Sequence, residues 1–289
     1  MEQPLAVGVD GSESSLRALD WAVDEALRRG TELRILHGSS WEWYEGREPS
    51  FEINRSSVRV YADTIVAQAV ERAYRRTVAV KATGQVLPAD PAAALIEESR
   101  EAGAVVVGSR GRGELTGLLL GSVSLAVAAQ AECPVIVVRG AEQNLAGGFG
   151  QVAVGVDSAE DAAPVLEFAF HAAERRDAEV RAVHAWRCPA HELPDHPRAE
   201  DATDAHRLLA EGELAQALRE QLSVHRDRTV RREVVEGRAR TALLDSAKTA
   251  DLLVVGARRR KGHVGMQLGP VNHAVLHHAS CPVAVVPHL

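Results

Sequence analysis

The sequence predicts an α/β fold with two similar tandem domains, each built around an open sheet of five mainly parallel strands. First, a chain of 289 residues has room for two domains of ordinary size. Second, short β-branched runs alternate with longer stretches of helical periodicity, which is typical of β-α-β units. Third, a segment from the middle of the chain returns near its end, which indicates that one domain was duplicated.

The strands of the first half are predicted from its apolar, β-branched runs. They are Leu5–Asp10, Glu32–His37, Thr77–Gly84, Ala104–Gly108 and Pro134–Val138. The last two are apolar almost throughout, as expected for strands that are buried on both faces of a parallel sheet. The helices between the strands are predicted at Ser14–Arg29, Ser57–Arg76, Pro91–Ala102 and Ser122–Glu132.

Residues that favour helix ends support these boundaries. Pro91 follows Asp90 in the way that a first-turn proline follows its N-cap. Gly30 and Gly103 stand where helices should end. The second half repeats the same plan from Val152 to Pro287.

The repeat is explicit in the letters of the sequence. GSVSLAVAAQAECPVIVV starts at Gly121, and GPVNHAVLHHASCPVAVV starts at Gly269, an offset of 148 residues (from 121 to 269). The same offset relates Gly108 to Gly256, whereas Asp10 and Asp157 differ by 147, so one net residue was inserted.

The duplication sets the expected domain organisation. We expect one domain at residues 1–140 and a second at residues 150–289. Between them, Arg139 to Gly150 contains Asn144 and the run Gly147-Gly148-Phe149-Gly150, a composition that suits a linker.

Composition limits the classes of function. The chain is 46% hydrophobic and 25% charged, and it has no apolar run near the roughly 20 residues of a membrane helix. Its start lacks the pattern of a signal peptide, so we expect a cytoplasmic protein without a membrane partner. The net charge is −7, with basic residues interleaved among acids, which argues against binding to nucleic acid. Cys133, Cys188 and Cys281 lack metal-site spacing and are predicted to be small buried hydrophobes.

A carboxylate follows the first predicted strand. Asp10 lies between the small residues Gly8 and Gly11, and ligands of open parallel sheets bind beyond the carboxyl ends of the strands. Asp10 could therefore accept hydrogen bonds from a base or a ribose. Capping of the first helix would explain the same residue, and residue type leaves both interpretations open.

A glycine-rich segment follows the fourth predicted strand. Gly108-Ser109-Arg110-Gly111-Arg112-Gly113 precedes Gly121-Ser122, which opens a helix. Backbone N–H groups freed by glycine, a serine hydroxyl and a helix N-terminus together suit an anion such as phosphate. A turn that only reverses the chain has a similar composition.

The spacing of these glycines resembles a known family. Gly108-x2-Gly111-x9-Gly121-Ser122 matches the G-2x-G-9x-G-[S/T] signature of ATP-binding universal stress proteins at every fixed position. The opening VGVDGS, the closing strand CPVIVV and the tandem arrangement extend the resemblance over essentially the whole chain. The fold implied is Rossmann-like, of the universal stress protein and adenine nucleotide alpha hydrolase type.

The resemblance implies an ATP site, with Mg²⁺ as a possible companion of the nucleotide. The residues that would hold adenine and ribose are Gly8, Asp10, His37 and Gly38. Those that would wrap the triphosphate are Gly108, Ser109, Arg110, Gly111, Arg112, Gly113, Gly121, Ser122 and Val123.

The implied role is a regulatory or sensor module that responds to stress through bound nucleotide. No GxxxxGK[ST] motif is present, so no pattern encodes fast hydrolysis, and no catalytic residue is predicted. Two alternatives stay open: an enzyme that slowly hydrolyses ATP or transfers a phosphoryl group, and a scaffold with vestigial nucleotide sites. The sequence identifies neither the stress nor the signalling partner.

The second half departs from the signature on its phosphate side. Gly155 and Asp157 keep the base-side pattern, and Gly256, Arg258 and Gly269 keep their places in the loop. Arg259 and Pro270, however, replace the second glycine and the serine, so we expect weak or absent phosphate binding. The run Arg258-Arg259-Arg260-Lys261 would either hold phosphates by charge or form a solvated basic loop.

Three other groups have simpler explanations, and no metal site is predicted. His273 and His277, followed by His278, have a ligand-like spacing without an accompanying acid or cysteine, which favours packing or surface roles. A proline-rich loop holds Cys188, His191, Asp195 and His196 in no standard zinc pattern. Trp41, Trp43 and Tyr44 would either cover an adenine pocket or anchor their own loop.

The apolar strand CPVIVV would form an exposed sheet edge, which must be covered. Its repeat, CPVAVV, is the expected partner, and single-domain members of the family dimerise through this region. The resemblance therefore implies a pseudo-dimer of domains within one chain, and association of two chains into a homodimer stays open.

Overall fold

The fold was determined as a computed structural model, which describes residues 3–39, 55–111, 120–187, 199–258 and 268–288. The chain divides into two compact units, Met1–Arg139 and Gly140–Leu289.

The first unit is an open parallel sheet with helices between its strands. Its elements are β1 (Leu5–Gly8), α1 (Glu13–Arg29), β2 (Leu33–Gly38), α2 (Arg55–Arg76), β3 (Ala82–Leu87), α3 (Pro91–Glu98), β4 (Ala104–Gly108), α4 (Ser122–Gln130) and β5 (Val135–Val138). The strand order is β3-β2-β1-β4-β5, and each neighbouring pair is parallel.

The second unit repeats this plan after a short additional helix. Its elements are α5 (Glu142–Leu145), β6 (Gln151–Gly155), α6 (Ala163–Glu174), β7 (Glu179–Trp186), α7 (Ala199–Val224), β8 (Val230–Glu236), α8 (Ala239–Ala247), β9 (Leu252–Arg258), α9 (Pro270–His278) and β10 (Val283–His288). The order within this unit is β8-β7-β6-β9-β10, again parallel throughout. The predicted α/β class with two tandem five-stranded sheets is confirmed.

The core of the first unit lies where the apolar runs indicated. Every residue of β4 and β5 is buried, which confirms that helices cover both faces of these strands. Helix α1 begins after Ser12, whose side chain accepts from the Ser15 N–H, and ends at Gly30 in the left-handed conformation, with φ of 65°. Asp90 caps α3 and Pro91 opens it, as predicted.

Strand β3 corrects the predicted boundaries. It begins at Ala82 rather than Thr77, because pairing with β2 fixes its position and Val78, despite its β-branched side chain, is exposed. Gly84 lies within the strand instead of ending it, and a Cβ there would stand 2.4 Å from Cγ1 of Val66 on α2. Helix α3 is also shorter than predicted, ending at Glu98.

The segment predicted as a linker instead folds onto the second unit. Asn144 is 3% exposed, and its Nδ2 donates to the carbonyl oxygens of Ala250 at 2.7 Å and Ala247 at 3.2 Å. The carboxylate of Asp251 accepts from the backbone N–H groups of Phe149 and Gln151. We name these contacts the Asn144 clasp. Small and polar residues are typical of linkers, but here the polar side chains form hydrogen bonds with backbone groups of the second unit.

Candidate functional site

The first unit has a pocket at the carboxyl ends of β1, β2 and β4. Strands β1 and β4 are neighbours although distant in sequence, so the crossovers on either side of them diverge and leave a crevice. The pocket has a volume of about 320 Å³. The predicted residues that line it are Gly8, Asp10, His37, Gly38, Gly108, Arg110, Gly111, Gly121, Ser122 and Val123. Predicted residues Arg112 and Gly113 lie outside the described part of the chain.

Two glycines are required because helix α3 approaches the strand ends closely. A Cβ at Gly8 would stand 2.7 Å from Leu95 Cδ1, and a Cβ at Gly38 would stand 2.5 Å from Pro91 Cα. The second contact involves backbone, which cannot rotate away. These glycines therefore bring Pro91 and Leu95 into the wall of the pocket.

Asp10 has a different role from the cap that residue type also allowed. Ser12 caps helix α1, whereas Asp10 Oδ1 accepts from the Ser12 N–H at 2.9 Å and so shapes the turn before the helix. The capping interpretation of Asp10 is therefore wrong. Asp10 Oδ2 would stand 2.8 Å from a Cβ on Gly111, so glycine lets the loop pass directly beside this carboxylate.

The start of helix α4 forms the other side of the pocket. Its N-cap is Gly121, which supplies no side-chain hydrogen bond, so the N–H groups of the first turn and the positive end of the helix dipole are directed toward the pocket. The Gly121 N–H donates to the Ser109 carbonyl at 2.8 Å, which holds the loop against the helix. Ser109 thus supports the loop and is not among the residues that line the pocket.

Two serines that the sequence argument overlooked hold the loop in place. Ser14 Oγ accepts from the Arg110 N–H at 3.1 Å, and Ser124 Oγ donates to the Gly108 carbonyl at 2.6 Å. In the second unit, Asn272 Nδ2 donates to the Gly256 carbonyl at 2.9 Å, at the position equivalent to Ser124. Alignment of the two halves could have revealed this tie, because both place a short polar side chain two residues after the first residue of the helix.

The ring of His37 forms a hydrogen bond with the backbone that follows β1. Its Nδ1 donates to the Val9 carbonyl at 2.7 Å, and His184 makes the same bond to Val156 at 2.9 Å in the second unit. A carbonyl oxygen only accepts, so Nδ1 carries the proton in both residues. The ring therefore fixes the backbone that borders the pocket.

The second unit has an equivalent pocket of about 660 Å³. The predicted residues Gly155, Asp157, Gly256, Arg258 and Gly269 all line it. Helix α9 begins with Pro270, whose nitrogen has no hydrogen to donate.

The charge proposed for phosphate in the second half has a protein partner instead. The Arg258 guanidinium forms an ion pair with the Asp161 carboxylate. Arg259, Arg260 and Lys261 lie outside the described residues. The described part of the basic run is therefore a single arginine, 60% exposed, whose charge is paired with a carboxylate.

The other candidates contribute no site in the described residues. The rings of His273 and His277 stack with centroids 6.3 Å apart, and His278 lies beside His277. In the ranges that the structure covers, no three His, Cys, Asp or Glu side chains are grouped to hold a metal. Cys133 and Cys281 are buried, as predicted. The predictions for Trp41, Trp43 and Tyr44, and for Cys188, His191, Asp195 and His196, fall outside the described residues.

In the part of the chain that the structure describes, no helix is both long enough and apolar enough to cross a membrane.

Comparison with known proteins places this geometry in a family. The family model described as "Universal stress protein family" matches residues 1–139 and 148–287. A universal stress protein of Mycobacterium tuberculosis is 34% identical over 300 residues, which cover 97% of this chain and 94% of the relative. The crystal structure of a universal stress protein from Archaeoglobus fulgidus has the same fold, with a TM-score of 0.70, 19% identity and 98% coverage of both chains.

A universal stress protein solved in complex with cAMP is 30% identical; the match covers 47% of this chain and 96% of that chain, with a TM-score of 0.37. The tandem matches and the full-length relative agree with the resemblance found in the glycine spacing. The chain belongs to the universal stress protein family.

Proposed function

We propose that the first unit binds ATP in its pocket and that the chain is a regulatory module which responds to stress through this nucleotide. The observation that carries the proposal is the position of the helix α4 N-terminus. It lies across the pocket from Asp10, with Gly108, Gly111 and Gly121 between them.

The phosphate side of the pocket suits a polyanion. Gly121 leaves the first turn of α4 without a side-chain cap, so its N–H groups are available for phosphate oxygens. Ser122 adds a hydroxyl, and Arg110 adds a positive charge at the rim.

The opposite side of the pocket suits a base and a ribose. Val9, Leu36, Pro91 and Leu95 provide an apolar lining for a flat ring. Asp10 offers carboxylate oxygens to ribose hydroxyls at the boundary between the apolar and polar sides. The volume of about 320 Å³ falls within the range of roughly 300–1,000 Å³ that is usual for small-ligand pockets.

A regulatory role agrees better with the described lining than turnover does. Asp10 is the one carboxylate among the described residues of this pocket. Bound Mg²⁺ would therefore take its remaining ligands from phosphate oxygens and water, as Mg²⁺ commonly does with nucleotides. Asp10 already shapes the turn at Ser12, so its role is to position rather than to activate a water molecule.

The test is direct measurement of bound nucleotide. The purified chain is denatured, the released small molecules are separated by chromatography, and ATP with Mg²⁺ is titrated into the nucleotide-free protein by calorimetry. We expect an adenine nucleotide in the released fraction and saturable heat. Neither would be observed if the proposal is wrong.

Gly121→Val and Gly269→Val form a matched pair for this test. Both glycines have extended backbone, with φ of −74° and −63°, which valine adopts freely. A Cβ at Gly121 meets its nearest neighbour, Arg110 Cα, at 3.6 Å, and a Cβ at Gly269 meets nothing within 4 Å. The first substitution should fill the space between loop and helix and weaken ATP binding at least about tenfold. The second, in the other unit, should leave ATP binding at the first pocket unchanged.

A further inference from the structure

The second pocket keeps the base and ribose side of the first pocket. Leu243 lies against Gly155 as Leu95 lies against Gly8, and a Cβ on Gly155 would stand 3.0 Å from Leu243 Cδ2. Asp157 lines the pocket at the position equivalent to Asp10. The side of the pocket that would bind a nucleoside is therefore present in both units.

The phosphate side of the second pocket is changed by two described residues, Pro270 and Asp161. Pro270 removes the hydroxyl of Ser122 and one of the free N–H groups at the helix start. Asp161 stands at the position equivalent to Ser14, so a carboxylate replaces the neutral hydroxyl beneath the loop. That carboxylate pairs with one nitrogen of the Arg258 guanidinium and so competes with a phosphate for it.

These replacements add one net negative charge to the described lining. The first pocket is lined by one acid, Asp10, and one base, Arg110. The second is lined by two acids, Asp157 and Asp161, and one base, Arg258. An excess negative charge in a concave site repels a triphosphate and is neutral toward an uncharged ligand.

His288 adds a polar group that the first pocket lacks. It lies at the end of β10, beside Arg258 in register, and its Nε2 would stand 2.9 Å from a Cβ on Gly256. Its Nδ1 is buried and has no hydrogen-bond partner among the described residues, although the side chain lines the pocket. The residue at the equivalent position of the first half is Gly140. A buried ring nitrogen without a partner is costly, and a turn of the ring toward the pocket would let a hydroxyl or amine of a bound ligand satisfy it.

We propose that the second pocket binds a nucleoside without phosphates, held by Asp157 and His288, and that it discriminates against nucleotides. This inference rests on the proposed function, because it takes the base and ribose side from the first pocket. It gives the two units of one chain opposite preferences for phosphate.

The experiment uses the full chain with the first pocket disabled by Asp10→Ala and Gly121→Val together. Adenosine and ATP are titrated separately into this variant by equilibrium dialysis. We expect one equivalent of adenosine to bind, and ATP to bind at least about tenfold more weakly than adenosine. Binding of ATP as tight as that of adenosine, or no binding of adenosine, would overturn the proposal.

Two further substitutions in that background assign the residues. His288→Ala should weaken adenosine binding by about tenfold, the effect of one hydrogen bond to a buried group. Asp161→Ser restores the residue of the first half and releases Arg258, so it should tighten ATP binding by about tenfold while adenosine changes little. An unchanged preference in Asp161→Ser would contradict the role given to this carboxylate. Melting curves of each variant identify any loss of folding.

The outcomes separate this inference from the proposed function. If ATP fails to bind the wild-type chain while adenosine binds the disabled variant, the proposed function fails and the second pocket stands. If ATP binds the wild-type chain and adenosine does not bind the disabled variant, the proposed function stands and the inference about the second pocket fails.

Discussion

Replacement of Ser124 with alanine should destabilise the first unit and loosen its loop. The Ser124 hydroxyl is buried and donates to the Gly108 carbonyl at 2.6 Å, so alanine removes the donor without admitting solvent. Loss of a buried hydrogen bond of this kind costs about 1–3 kcal/mol, and the better helix propensity of alanine returns about 0.5 kcal/mol. The net loss should be about 0.5–2.5 kcal/mol.

Ser223→Ala is the matched control. Its hydroxyl also donates to a main-chain carbonyl, that of Glu220, at 2.7 Å, but both groups are exposed. Water replaces the lost bond there, so the change should stay within about 0.5 kcal/mol.

The assay is thermal unfolding followed by calorimetry, with the two units treated as separate transitions. For a unit of this size, each kcal/mol lowers the melting temperature by about 3–4 °C, so Ser124→Ala should lower the first unit's transition by about 2–10 °C. Equal decreases in melting temperature, for Ser124→Ala in the first unit's transition and for Ser223→Ala in the second unit's, would refute the argument that burial makes the Ser124 hydrogen bond the more stabilising of the two.

Three other predictions follow from contacts in the first unit. Gly38→Ala places a Cβ 2.5 Å from the backbone of Pro91, so it should displace α3 and cost about 1–3 kcal/mol, measured by urea unfolding. The pKa of Arg72 is raised by its side-chain hydrogen bond to Asp20, so that bond contributes fully at neutral and moderately alkaline pH and is lost as the pH rises through the raised pKa. Asp20→Asn should therefore cost the same small amount, under about 1 kcal/mol, at about pH 7 and about pH 10, and less in high salt. Asp10→Ala should weaken ATP and adenosine binding at the first pocket by a similar factor, which titration of both ligands into a chain carrying Asp157→Ala would test.

Much of the pocket could be predicted because close approach leaves a mark in the sequence. Gly8, Gly38 and Gly108 are glycine since a Cβ at each would meet a neighbouring element at 2.5–2.7 Å. Few residue types other than glycine fit such positions, so the spacing of these glycines can be recognised in the sequence. The duplication then made two of these glycines visible twice, because Gly155 and Gly256 repeat Gly8 and Gly108.

Contacts between distant residues left no comparable mark. Arg258 and Asp161 are 97 residues apart, and each alone is an ordinary surface charge. The ties from Ser14 and Ser124 to the loop likewise join residues separated in sequence, and serine is common in many settings. The position of β3 was missed because pairing with β2, rather than local propensity, decides where the strand begins.

The Asn144 clasp has a practical consequence for dissecting the chain. The family match to the second domain begins at residue 148, so a fragment cut at that point would lack Asn144 and leave the carbonyls of Ala247 and Ala250 without their donor. Such a fragment would be less stable for a reason unrelated to its ligand. A fragment that starts at Gly140 carries its own clasp, so studies of the isolated second domain should begin there rather than at the edge of sequence similarity.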